Sequence, residues 1–161
     1  MADEHRGEAR SEPGSGEDSH PPLAHLLRMA LKRLDAIHRE RLARIDLTPQ
    51  QVEVLSALKG HGGMRQSDLA RRVGMDPATM AELAARLEER GLMRRAPHRR
   101  DRRALAVYLT PKGRRRLMKA LPLLAEADAL FLSRLQAKQK RPLLKALMRL
   151  SGLEAEKERT K

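Results

Sequence analysis

The chain has 161 residues, no cysteine, and 34 basic against 21 acidic side chains for a formal net charge of +13, which suits one compact domain or a small domain with added helices for self-association. The lack of cysteine excludes disulfides, thiolate metal sites, cysteine nucleophiles and cysteine-based redox sensing, and a reducing cytoplasm is the expected location. No apolar stretch approaches the roughly 20 residues that span a bilayer, and the charged start lacks the apolar centre of a signal peptide, so no membrane association is expected.

Residues 1–20 are rich in Glu, Gly, Ser and Pro and nearly devoid of apolar side chains; they are expected to form a disordered acidic tail of net charge −4. After Pro21 and Pro22, the apolar positions Leu23, Leu27, Ala30, Leu31, Leu34 and Ile37 recur near a 3.6-residue period and predict a long amphipathic helix to about Arg44. Thr48-Pro49-Gln50-Gln51 combines a capping hydroxyl, a first-turn proline and a capping-box glutamine, so a second helix starts there, turns Val52, Leu55 and Leu58 inward, and stops at Gly60, Gly62 and Gly63.

Residues 66–73 predict a short helix broken at Gly74. Asp76 and Pro77 then supply the cap and first turn of another, running to about Arg90, with Met80, Leu83, Ala84 and Leu87 inward. Two helices joined by so tight a turn make a helix-turn-helix signature. Residues 92–95 and 104–109 have strand character and are expected to pair as a hairpin, and the link Ala96–Arg103 between them carries four arginines and forms a candidate wing. Thr110-Pro111 opens a long helix containing Pro122, where a kink is expected. A last helix is expected from about Arg141, turning Leu143, Leu144, Leu147 and Leu150 inward.

The fold class is therefore mainly α with a small β-hairpin wing: a winged helix-turn-helix at 48–110 flanked by dimerisation helices at 21–47 and 111–153, with a charged tail at 154–161. Arginine outnumbers lysine 25 to 9, and the interval from His61 to Arg116 has a net charge of +9, which favours a polyanion partner. Tyr108 and Phe131 are the only aromatic residues, too few for a base-stacking reader of single strands, so double-stranded DNA fits best. The apolar outer helices lack a large domain to cover them and imply a homodimer.

From Thr48 to Arg116 the chain resembles the MarR family of bacterial winged-helix regulators, on the segments TPQQVEVLSAL, QSDLARRVGMDPATMAELAARLEERGL and DRRALAVYLTPKG in that order. The resemblance implies an intertwined dimer whose recognition helices enter the major groove, with Pro77, Ala78, Thr79, Ala81, Glu82 and Arg86 as groove-facing candidates. It also implies a wing whose Asp101 and Arg103 match the family's Asp-x-Arg pattern, the arginine reading the minor groove. Ala81 and Glu82 stand where many relatives place polar or basic residues; Glu82 either accepts from cytosine or pairs with Arg86. Arg99, Arg100 and Arg102 are candidate phosphate contacts. Gln66 and Ser67 are secondary ones, which ordinary capping also explains.

The resemblance further implies a small anionic or aromatic effector between the dimer helices and the winged head. Leu26, Leu27, Met29, Ala30, His61 and Tyr108 are candidate lining residues, with plain core packing as the competing reading. The six histidines include no pair at helical ligand spacing, and no catalytic constellation stands out, so neither a metal, a cofactor nor an enzymatic activity is expected. The leading expectation is a ligand-responsive, sequence-specific transcriptional regulator, most simply a repressor. Its competitors are a nonspecific architectural DNA-binding protein and a nucleic-acid-processing enzyme.

Overall fold

A computed structural model describes residues 20–97 and 105–152. Its helices are α1 (Leu23–Leu42), α2 (Pro49–Leu58), α3 (Gln66–Arg72), α4 (Pro77–Glu89), α5 (Pro111–Leu132) and α6 (Ala137–Leu150); its strands are β1 (Met64–Arg65), β2 (Met93–Pro97) and β3 (Leu105–Leu109).

Three helices start by one local device. Thr48, Asp76 and Thr110 each accept the amide of the residue three positions on, and each is followed by a proline whose missing N–H lies where a helix leaves that donor unused. At α2 the device is a complete capping box, with Gln51 Oε1 accepting from the Thr48 amide at 3.1 Å. The two helices of the helix-turn-helix also end alike. Met75 N bonds to Ala70 O and Gly74 N to Arg71 O after α3; Leu92 N bonds to Leu87 O and Gly91 N to Glu88 O after α4. Both glycines have φ near +67° (66° and 68°), the left-handed conformation this helix stop requires.

The sheet is antiparallel in the order β1-β3-β2. The sequence reading expected only the β2–β3 hairpin. β1 is two residues long and has no periodicity to read, yet it pairs Met64 with Val107 and Arg65 with Ala106. β2 also runs further than expected, because Ala96 and Pro97 pair with Ala106 and Leu105 instead of joining the link; Pro97 is tolerated because β2 is an edge strand.

One core joins the winged head to α1 and α5, with Leu42, Val52, Leu55, Leu69, Met80, Leu87, Leu92, Val107 and Leu117 all nearly inaccessible. α5 runs without interruption through Pro122. α6 starts at Ala137, four residues before the expected Arg141, where Gln139 Oε1 accepts from the Gln136 amide at 2.9 Å; Pro142 lies inside the helix, in its second turn. No residue of α6 is buried, so the leucines expected to point inward, Leu144, Leu147 and Leu150, face outward from the protomer.

Candidate nucleic-acid interface

The reading surface is built on α4. Its buried stripe of Met80, Ala84 and Leu87 fixes the helix on the core, which leaves Pro77, Ala78, Thr79, Glu82, Ala85 and Arg86 exposed on the opposite side. Ala81, also a candidate, is half-buried at the edge of that face. The Thr79 hydroxyl donates to Asp76 Oδ2 at 2.6 Å while the Thr79 amide donates to Oδ1 at 2.9 Å. These bonds hold the Asp76 carboxyl below its usual range, the hydroxyl contributing most. Thr79 thus has a capping role whatever else it touches. Glu82 and Arg86 approach to 3.7 Å one turn apart, both largely exposed, and such a pair is weak enough to open for a base or phosphate.

The wing's base is fastened to this helix. Glu88 of α4 accepts the Arg95 backbone amide at 2.9 Å on one carboxylate oxygen and the Arg95 guanidinium on the other, while Arg95 Nη2 reaches Gln66 Oε1 at 3.3 Å. One arginine of β2 therefore ties the wing, the recognition helix and the start of α3 together. Gln66 is held by protein through its carbonyl, and Ser67 beside it is exposed. On the far side of the hairpin Arg94 lies 4.5 Å over the Tyr108 ring, whose hydroxyl donates to Pro97 O at 3.0 Å. The wing tip itself, with Arg99, Arg100, Asp101, Arg102 and Arg103, lies outside the described residues.

A second feature lies on the other side of the head. Leu31, Leu34, Asp35 and His38 of α1, Pro49, Gln50, Glu53 and Ser56 of α2, and Leu124 of α5 line a crevice of about 360 Å³. His38 Nε2 and Asp128 Oδ1 are 2.8 Å apart at its side, joining α1 to α5. The sequence candidates for a ligand site are placed elsewhere. Leu26, Leu27, Met29 and Ala30 are exposed on the first turns of α1, His61 is exposed beyond α2, and Tyr108 is buried in the sheet against Gly63. Leu27 comes nearest, one helical turn before Leu31 on the same face.

Partial burial at the crevice wall, and secondarily the Asp35 carboxylate, push the Glu53 carboxyl above its ordinary range. A raised carboxyl pKa means that the ionised form is disfavoured in the fold. That cost is complete above the folded-state pKa and absent below the unfolded-state one. Glu53→Gln is therefore expected to raise the melting temperature slightly at pH 7, and to give no gain at acid pH, where the carboxyl is protonated in both states. Thermal unfolding across that range checks it; a gain independent of pH would contradict the burial argument.

Among the described residues no group of three or more His, Cys, Asp or Glu side chains could hold a metal ion, and no helix is long and apolar enough to cross a membrane. What the geometry defines is a winged-helix DNA-binding head carried on long amphipathic helices. The comparisons identify which kind. Residues 47–105 match the model of the MarR family. The chain is 31% identical over 128 residues to the transcriptional repressor NicR of Pseudomonas putida, covering 80% of this chain and 81% of that one. Among solved structures it superposes with a TM-score of 0.76 on BpsR of Bordetella bronchiseptica, whose DNA binding is regulated by 6-hydroxynicotinic acid, at 27% identity over 85% of this chain and 98% of that one. The repressor CouR, bound to a 23-mer DNA duplex, superposes with a TM-score of 0.74 at 29% identity over 81% and 92% of the two chains. The chain belongs to the MarR family of transcriptional regulators.

Proposed function

We propose that the protein is a cytoplasmic homodimeric repressor that binds a near-palindromic duplex operator and is released by a small aromatic effector, with no catalytic step. The observation that carries this reading is the exposed face of α4 between Pro77 and Arg86, standing beside a wing base rich in arginine. In this reading 48–110 is the DNA-binding unit, and 21–47 and 111–153 form the dimer. Pro77, Ala78, Thr79, Glu82 and Arg86 face base edges or flanking phosphates, and Ala81 packs at the rim. By family resemblance Arg103 enters the minor groove, Asp101 steadies it, and Arg99, Arg100 and Arg102 meet phosphates.

The effector's place is the crevice between α1, α2 and α5, where Leu31, Leu34 and Leu124 offer an apolar wall and His38, Gln50 and Ser56 offer hydrogen bonds. The carboxylates of Asp35 and Glu53 on the same wall favour a ligand that presents a ring N–H or hydroxyl donor to them. Because BpsR responds to 6-hydroxynicotinic acid, that compound is the first probe.

The test is fluorescence anisotropy of the purified protein on duplex from its own upstream region and on random duplex, with and without 6-hydroxynicotinic acid. The upstream duplex is expected to bind about 10³-fold more tightly, and the compound to weaken that binding. Equal affinity for random duplex would favour the architectural reading instead. Selective binding that no aromatic compound weakens would remove the effector from the proposal and leave the repressor.

A further inference from the structure

Arg90, the residue that ends the recognition helix, makes contacts that reading DNA does not require. Its Nη2 donates to the backbone carbonyl of Asp46 at 2.5 Å and to the Asp46 carboxylate at 2.7 Å, while Nη1 donates to Gln51 Oε1 at 3.2 Å. Asp46 is where the chain leaves α1 through the single turn Ala43–Ile45, in a left-handed conformation at φ 50°. Gln51 is the buried glutamine whose same oxygen closes the capping box of α2. The Arg90 carbonyl in turn accepts from Lys112 Nζ of α5 at 2.7 Å. One residue thus links the end of α4 to the exit of α1, the start of α2 and the start of α5.

Apart from the bonds that Thr110, at the start of α5, makes to Gly91 O and Leu92 O, the joint between head and outer helices is an apolar core around Leu42, Leu87 and Leu117, and apolar contact resists separation far more than rotation. Hydrogen bonds from a planar guanidinium fix an angle. We infer that Arg90 is a positioning residue: it sets the angle between each reading head and the dimer helices, and with it the half-site spacing the protein accepts. The leverage is large. α4 has 13 residues, so its reading end stands about 20 Å from the clamp, and a swing of about 10° there moves it about 3.4 Å, the rise of one base pair.

The inference rests on the homodimer reading above, and the experiment separates the two. The tightest site is selected from a random duplex pool with the unaltered protein, and derivatives carrying one or two additional base pairs at the centre are measured against it. The unaltered protein is expected to lose at least about tenfold in affinity for each added base pair, and Arg90→Met less than about threefold. Arg90→Lys, which keeps the charge but not the fork, should fall between. Asp46→Asn tolerates the left-handed conformation and keeps both acceptors of the clamp while losing its charge, so it should retain most of the spacing discrimination. Thermal unfolding of each variant accompanies the titrations, because loss of stability lowers affinity for all spacings equally and leaves their ratio unchanged. Full spacing discrimination in a folded Arg90→Met protein would overturn the assignment. Indifference of the unaltered protein to spacing would overturn the homodimer reading and the inference with it.

Discussion

Gly113→Ala is expected to cost about 3–5 kcal/mol, enough to lower the melting temperature by about 10 °C or to prevent folding altogether. A Cβ on this residue, in the first turn of α5, would stand 2.0 Å from Leu92 O and 2.9 Å from both Leu92 C and Leu109 Cδ1. The backbone at Leu92 has no freedom to retreat. Leu92 O accepts from the Thr110 amide at 3.2 Å and the Thr110 hydroxyl at 3.1 Å, and Leu92 N completes the stop of α4. That hydroxyl shares its single proton between Leu92 O and the nearer Gly91 O, at 2.7 Å, while accepting from the Gly113 amide at 2.9 Å. The recognition helix, the hairpin and α5 therefore meet at a contact that only a hydrogen can occupy. Gly60→Ala supplies the comparison. That glycine is at φ +84° with nothing within 4 Å of a built Cβ, so alanine there carries only the backbone penalty of about 1–2 kcal/mol. Urea unfolding of both variants checks the difference, and a Gly113→Ala midpoint no lower than that of Gly60→Ala would refute the close approach.

This contrast marks what the sequence makes legible. The starts of α2, α4 and α5 are visible because cap, proline and bonded amide lie within three residues of one another, and the stops of α3 and α4 because a single glycine satisfies each. The exposed face of α4, with Ala78, Thr79, Glu82, Ala85 and Arg86, follows from the same local periodicity, whereas Pro77 and Ala81 join the candidates only through the family resemblance. What lies outside that reach depends on separation along the chain. Arg90 is 44 positions from Asp46, and Gln66 is 29 from Arg95. Neither partner leaves a mark in the other's neighbourhood. β1 is recognisable only through its partner Val107. The crevice is harder still, since three helices must converge before Leu34, Gln50 and Leu124 share a wall, whereas the candidates Leu26 and Met29 are exposed on the turns of α1 before it.

The second large effect concerns self-association. Among the described residues every exposed large apolar side chain lies on α1, α5 or α6, and none on the winged head. On α6 this includes Leu144 at 49%, Leu147 at 40% and Leu150 at 77% exposure. Burying a fully exposed leucine is worth about 1.5–3 kcal/mol, of which about half remains to be gained at Leu144 and Leu147, and a twin that covers these three in each protomer still gains more than a surface contact supplies. Leu144→Asp combined with Leu147→Asp is expected to raise the dimer dissociation constant by at least about 10³-fold, because four carboxylates would have to be desolvated at one apolar seam. The protomer should keep its helix content, since neither leucine contributes to its core. Operator affinity should fall about 10²–10⁴-fold, as each head then binds its half-site without the other's effective concentration. Sedimentation gives the first result and anisotropy the second. A variant that stays dimeric would place the partner contact on α1 and α5 alone. One that becomes monomeric yet binds the operator undiminished would show that a single head suffices, and the long amphipathic helices would then need a purpose other than joining two reading heads.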